Sequence, residues 1–391
     1  MLYRFSVCAL LLALPVACAH QTAVTPFAGA APSVQVRHAA SAYRLIYSFQ
    51  GQDDGAKPYA RLAAWDGKLY GTTKGGGGRV EHGTVFVIDS DGTERVLHAF
   101  TSAYGDGGTP MAGLVHHGKE LYGTTTSGGS SSKGTVFEIN TDGKLRIVFN
   151  FNGANGAYPR GDLVDLFGTL YGTTENGGTH NQGTVFSVTP DGNEQVLHSF
   201  SGGADGANPY SGLELLDNHL YGTTIVGGAK DVGTVFEIAP DRKERVLYSF
   251  LGGAGNNDGW GPEGKLVALN GVLYGTTRAG GANCCGTIFE VKRDGTERIV
   301  HSLSENDGTS PIAGLAALNG ALYGTAPSGG TKRQGTIFEV KPDGAFQVMH
   351  TFGIREGADP RSSLIAVNGK LYGTTAAGGA KQKGTVYELT P

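Results

Sequence analysis

The chain has 391 residues. Its 65 glycines would suggest low complexity, but they fall at fixed offsets in a pattern that is 39% apolar, which excludes a disordered polypeptide and points to a turn-rich all-β protein. With 31 basic against 35 acidic side chains the formal charge is −4, so there is no cationic excess to neutralise a phosphate backbone and nucleic acid is not an expected partner.

Residues 1–19 read as an export signal. Arg4 gives the positive start, Phe5 to Val16 the apolar run, and Ala17-Cys18-Ala19 the small-residue cleavage site, which would leave His20 as the first mature residue. Such a run is too short to span a bilayer. Cys18 allows a second route, acylation as a lipoprotein, but Pro15 stands where that signal calls for a branched aliphatic residue, so soluble export is the preferred reading. Either route ends in the periplasm, on the cell surface or outside the cell. Residues 20–40 read as a flexible linker, and no transmembrane segment is expected after cleavage. Only Cys284 and Cys285 then remain. They could close a strained vicinal disulfide or stay two free thiols, and the distortion that adjacency imposes on a bridge favours the thiols.

From residue 41 to 391 the chain is a tandem array. Leu-Tyr-Gly-Thr occurs seven times, with tyrosines at Tyr70, Tyr122, Tyr171, Tyr221, Tyr274, Tyr323 and Tyr372, spaced by 52, 49, 50, 53, 49 and 49 residues. Each copy reads as four strands. The first is Gly-Leu-x-x-Leu, as in Gly314 to Leu318, closed by a tight turn such as Asn270-Gly271, Asn319-Gly320 or Asn368-Gly369. The second is Leu-Tyr-Gly-Thr-Thr, and a glycine-rich loop leads to the third, Gly-Thr-Val-Phe-x-Ile, as in Gly233 to Ile238. A second hairpin signal, such as Asp91-Gly92 or Asp294-Gly295, opens the fourth, as in Arg245 to Phe250.

A four-stranded sheet of some fifty residues has two apolar faces and must stack on its own copies to bury them. The last copy stops after its third strand, Gly384 to Leu389, and the missing fourth strand stands at the other end, where Tyr43 to Phe49 matches Gln195 to Phe200. A linear stack has no use for this permutation; a ring does, because the first segment then completes the last sheet and removes open edges. The fold expected is a monomeric, closed, seven-bladed β-propeller. In it, Gly123, Gly172 and their equivalents would let neighbouring sheets approach, and the tyrosines would fill the wedge between blades. His98, His198, His301 and His350 share one position of the fourth strand with Tyr47, Phe149 and Tyr248. A metal ligand would not be exchanged for phenylalanine, so they read as packing groups.

Strand direction places the loops after strands two and four on one face, the upper one, where function is expected. There Asp-Gly-x-x-Pro recurs before strand one, beginning at Asp54, Asp106, Asn155, Asp205, Asp258, Asp307 and Glu356. Six carboxylates around a channel mouth could attract a cation, yet Asp-Gly before proline is also how a turn is capped, and the turn is the preferred reading. Positions that break the repeat are the better ligand candidates: Tyr59, Tyr158, Arg160, Tyr210, Trp260 and Arg361, aromatic rings beside charges that suit a sugar face or a peptide side chain. For catalysis only Asp162, Glu175, His180, Glu263 and His82 break the pattern, and they form no triad or metal-ligand spacing.

The repeated Leu-Tyr-Gly-Thr-Thr, Gly-Gly and Gly-Thr-Val-Phe-x-Ile elements resemble the GloVer tandem repeat of bacterial exported "choice-of-anchor" proteins, over nearly all of residues 43–391. That resemblance implies a propeller and a life at the cell surface or in the periplasm, and no particular activity. The function expected is a non-catalytic binding or scaffolding module for a carbohydrate, peptide or envelope partner on the upper face. The alternative is an enzyme of lactonase or lyase type at the channel mouth. No nucleotide loop or paired-cysteine metal motif is present, so no cofactor is expected.

Overall fold

Burial separates the strands by rank. Thr-Val-Phe-x-Ile segments such as Thr234–Ile238 and Thr184–Val188 are buried at all five positions, because both of their faces pack against other sheets. Outer strands such as Glu194–Ser199 keep half-exposed residues. In the computed structural model, which describes residues 41–79, 81–103, 105–252 and 258–391, these strands form seven four-stranded antiparallel sheets. The export segment, Cys18 and the linker 20–40 lie outside the described residues. No helix among the described residues is long and apolar enough to cross a membrane.

Blade 3 shows the pattern: Val164–Leu166, Thr169–Thr174, Thr184–Val188 and Glu194–Ser199, from the axis outwards. Inner strands hold three residues, shorter than the predicted Gly-Leu-x-x-Leu; Ala316–Leu318 begins two residues after Gly314, which belongs to the channel wall. Blade 7 consists of Ile365–Val367, Lys370–Thr375, Thr385–Thr390 and, from the opposite end of the chain, Ala42–Ser48. Ala42 pairs with Thr390 and Ser48 with Thr385, so the ring closes as the permuted repeat requires.

Apolar clusters bridge consecutive blades. Tyr70, Val85 and Phe100 of blade 1 pack with Leu114, Leu121 and Phe137 of blade 2, and Phe137 alone is worth roughly 2–3 kcal/mol as a fully buried side chain. The tyrosines fill the wedge as expected. The glycines beside them do something else. A Cβ on Gly123 would meet Phe137 Cζ at 2.6 Å and Leu114 Cδ2 at 2.8 Å, both in its own blade. Gly123 and Phe137 are cross-strand partners, so the glycine makes room for the ring lying across it and is not a point of approach between sheets.

The fourth-strand histidines pack as expected, His98 on Phe100 at 4.8 Å and His198 on Phe200 at 4.7 Å between ring centres, and they have polar partners as well. His98 Nε2 donates to Asp106, His198 to Asp205 and His301 to Asp307, each at 3.3 Å, while His350 stands 3.6 Å from Glu356. The Tyr47 hydroxyl donates to Asp54 at 2.8 Å and that of Tyr248 to Asp258 at 3.1 Å. The blade with Phe149 instead has Asn155 in place of the carboxylate. The exchange is therefore coupled: a donor in the strand accompanies an acid in the turn, and its loss accompanies an amide. The same acids cap backbone amides. Asp106 accepts from Thr101 and Gly107 N at 2.8 Å each, and Asp258 from Leu251 N at 2.6 Å and Gly259 N at 2.7 Å. Burial opposes ionisation of Asp106, but these donors together hold its carboxyl down at about 2.

Candidate binding site at the channel mouth

The residue before each proline has a left-handed backbone, with φ between 53° and 65° at Lys57, Thr109, Tyr158, Asn208, Gly261, Ser310 and Asp359. Proline fixes the next φ, so every blade turns in the same way and presents its post-proline side chain at the axis. Short antiparallel bridges clamp the turn to the loop after strand two, as in Ala56 with Gly75, Ala157 with Asn176 and Gly259 with Gly280. Threonines lock the wall to the next blade: Thr173 Oγ1 donates to Ser211 O at 2.7 Å, and Thr374 Oγ1 of blade 7 to Pro58 O of blade 1 at 2.9 Å. The upper loops vary in side chain on a rigid frame.

The result is a cup on the axis, about 750 Å³ including its open mouth. In ring order its wall is Tyr59, Met111, Arg160, Tyr210, Glu263, Ile312 and Arg361, one residue from each blade. Two residues further along, Arg61, Asp162 and Lys265 line its lower part, where Arg61 Nε reaches Asp162 Oδ2 at 3.2 Å across blade 2. Gly113 stands between them, and a Cβ there would meet Arg61 O at 2.7 Å.

Charges on the wall are matched locally. Arg160 pairs with Glu175, Arg278 with Glu263 at 3.2 Å, Arg361 with Asp359 at 2.8 Å and Lys265 with Glu214 at 3.3 Å. Arg160 also lies 4.9 Å over the Tyr210 ring and donates to its hydroxyl at 3.1 Å. Arg361 lies 5.5 Å over Tyr59. Burial raises the pKa of Tyr59, Tyr210 and Glu263; nearby arginines oppose the shift in all three. Stacking rings, fixed donors and fixed acceptors on one wall can hold a polar ligand with an apolar face.

Of the six ligand candidates the cup gathers Tyr59, Arg160, Tyr210 and Arg361; Asp162 and Glu263 join them, with Glu175 as the partner of Arg160. Tyr158 and Trp260 lie outside the cup. Tyr158 accepts from Lys133 Nζ at 3.1 Å, and Trp260 is 42% exposed in the short ladder with Ala279. His180 is exposed beside Thr179, and His82 gives its carbonyl to Thr109 N. Asp54, Asp106, Asp205, Asp258, Asp307 and Glu356 do not ring the mouth: each caps its own turn, and among the described residues no three His, Cys, Asp or Glu are grouped to hold a metal. Cys284 is an exposed and Cys285 a half-buried free thiol, the latter pushed up to about 11 by burial and by Cys284 beside it.

Sequence reasoning missed Lys74 and Arg278. Both follow Leu-Tyr-Gly-Thr-Thr directly, at a position otherwise held by Thr126, Glu175, Ile225, Pro327 and Ala376. Its charge is opposite to that of the post-proline residue in blades 3 and 5, which was the available signal.

Seven blades of one repeat around a polar axial cup define the class: a tandem-repeat β-propeller. The chain belongs to the Gloeobacter/Verrucomicrobia repeat family, whose model matches residues 28–216 and 195–387. No curated relative matches the sequence. Among solved structures the fold is similar to a puromycin hydrolase mutant complexed with PGG, at 13% identity and TM-score 0.52, covering 84% of this chain and 52% of that one. The chain thus spans about half the length of that protein. Putative 6-phosphogluconolactonases from Bacteroides fragilis NCTC 9343 (16% identity, TM-score 0.49, 80% of this chain and 88% of that one) and Bacteroides uniformis ATCC 8492 (18%, 0.47, 76% and 85%) are also similar. Likeness at these identities speaks to the fold alone.

Proposed function

We propose that the protein is an exported, monomeric, non-catalytic binding module whose axial cup recognises a sugar unit of a glycan. The observation behind this reading is the pair of wall tyrosines, Tyr59 and Tyr210, each braced by an arginine 5.5 or 4.9 Å from its ring centre, in a cup that otherwise offers fixed donors and acceptors. Sugars present an apolar face to rings and hydroxyls to charged groups, and prepaired side chains hold their geometry without a ligand. Export follows from the reading of residues 1–19, and ring closure within one chain supports a monomer. Replacing Tyr59, Arg160 and Tyr210 by Ala together should abolish retention on a glycan array while the melting temperature stays within a few degrees of the parent, since cup residues carry little of the interblade packing. Retention of the parental glycan profile by that variant would remove the cup from consideration.

The lactonase-type alternative has one supporting observation, Glu263, whose carboxyl burial raises within the cup. Among the described residues no second acid or base is paired with it; its partner is Arg278 at 3.2 Å. The expected result is no lactone turnover above background by the parent or by Glu263→Gln. Turnover by the parent that falls by about 10²-fold or more in the variant would establish general acid–base chemistry here instead.

A further inference from the structure

Among the described residues, one cation in contact with the cup wall has no carboxylate partner. Arg61, Arg160, Lys265, Arg278 and Arg361 each stand in an ion pair. Lys74 does not: among the described residues no acidic group lies within ion-pair distance of its ammonium, which is half-buried and sits 5.2 Å over the Tyr59 ring. Arg361 lies over that same ring at 5.5 Å, so two cations meet at one aromatic ring. The charges acting on Lys74 are themselves positive. Burial first, then Arg160, Lys57 and Arg361, lower its pKa. Leaving water without a counter-charge is unfavourable for an ammonium, and the Ala56–Gly75 bridge, together with Lys74 N donating to Lys57 O at 3.0 Å, holds its backbone. An arriving anion would restore the missing charge.

We propose that the sugar taken by the cup is anionic, a hexuronate unit whose carboxylate docks at the Lys74–Arg361 corner beside the Tyr59 ring. This rests on the glycan reading of the cup and adds the charge of the ligand. The surplus is small, Lys74 with the exposed Lys57 acting on it, because every arginine at the site is already matched, and that suits a single carboxylate better than a densely sulfated or polyphosphorylated chain. A planar carboxylate can bridge an ammonium and a guanidinium, whereas a neutral hexose would leave the corner as it is.

The test is calorimetric titration of the full mature chain with D-glucuronate, D-galacturonate and D-mannuronate against glucose, galactose and mannose, with inorganic phosphate as a separate arm. At least one uronate should bind about tenfold or more tightly than its neutral parent. Lys74→Met should remove that preference without lowering the melting temperature, and Lys74→Arg should keep it. Equal affinity for uronates and neutral sugars, or a preference that survives Lys74→Met, overturns the anionic assignment and leaves the glycan reading standing. Phosphate binding as tightly as the best uronate would make the corner a phosphate site and overturn it as well. Binding of no sugar at all would sink both the assignment and the glycan reading beneath it.

Discussion

Deletion of residues 41–50 will leave a chain that aggregates and shows no cooperative unfolding. The segment supplies the outer strand of blade 7, with six register pairs to Thr385–Thr390, and removing it exposes the edge of a strand that is otherwise buried at five of its six positions. Phe49 is lost with it, fully buried against Phe86 of blade 1 at 5.1 Å between ring centres, so the damage crosses the seam between the last and first blades. The net stability of a domain is about 5–15 kcal/mol, and losing a whole strand with its interblade packing exceeds that range. A milder version reads the same seam: Phe49→Ala should remain folded but lose about 3–5 kcal/mol. Size-exclusion chromatography and urea unfolding distinguish the outcomes. A deletion product that elutes as a monomer and unfolds at the parental midpoint would mean that ring closure is not what holds the seven blades together.

Fold was legible in the sequence because a repeat states its own register. Seven Leu-Tyr-Gly-Thr copies, Asn-Gly and Asp-Gly turns, and a fourth strand displaced to the other end of the array are local signals whose sum admits few architectures, and the pairing of Ala42 with Thr390 agrees with them. What escaped was lateral. That Gly123 lies beneath Phe137 depends on the register of two strands joined by a loop, and spacing along one strand does not carry it. The link from His198 to Asp205 spans only seven residues, and its sequence trace is the pairing of Phe149 with Asn155, which shows only when the strand and turn positions are compared together.

The cup was half legible for a related reason. Position after proline is set by the repeat, so Tyr59, Arg160, Tyr210 and Arg361 could be placed at the mouth by counting. Trp260 occupies a position of the short ladder that elsewhere holds Ala56, Gly108, Ala157, Ala207, Thr309 or Ala358, and counting from Asp258 excludes it from the wall. Lys74 and Arg278 belong to a different loop and reach the site only through the bridges that clamp the two loops together.

Stability should depend on pH through a belt of glutamates between the blades. Glu94, Glu244 and Glu297 open the outer strands of blades 1, 4 and 5, and each has a buried Oε1 with no hydrogen-bond partner. At the same register position Phe346 stacks on His301 at 4.0 Å and Tyr43 on His350 at 4.1 Å, so the site accepts an uncharged ring where these three blades place a carboxyl. Burial first, then the carboxylates of Asp54, Asp205 and Asp258 respectively, push the three glutamates up to about 7 from an ordinary 4.5. A carboxyl whose folded pKa is raised contributes stability below its unfolded pKa, and that contribution is lost as pH rises through about 7. His198 and His350, lowered by burial, act the other way below their ordinary 6.5, so the profile of the parent alone mixes the two. Comparison with the triple variant Glu94→Gln, Glu244→Gln, Glu297→Gln cancels the histidine part. Discounted for partial exposure, each glutamate is worth roughly 1 kcal/mol. The variant should therefore melt close to the parent at pH 5 and roughly 3–6 °C above it at pH 8.5. Glu194→Gln is the control, because Glu194 faces Asn155 rather than an acid and should show a smaller change. If the gap between parent and triple variant is the same at both pH values, the three carboxyls do not ionise within this window, and the blade seams are insensitive to pH at these positions.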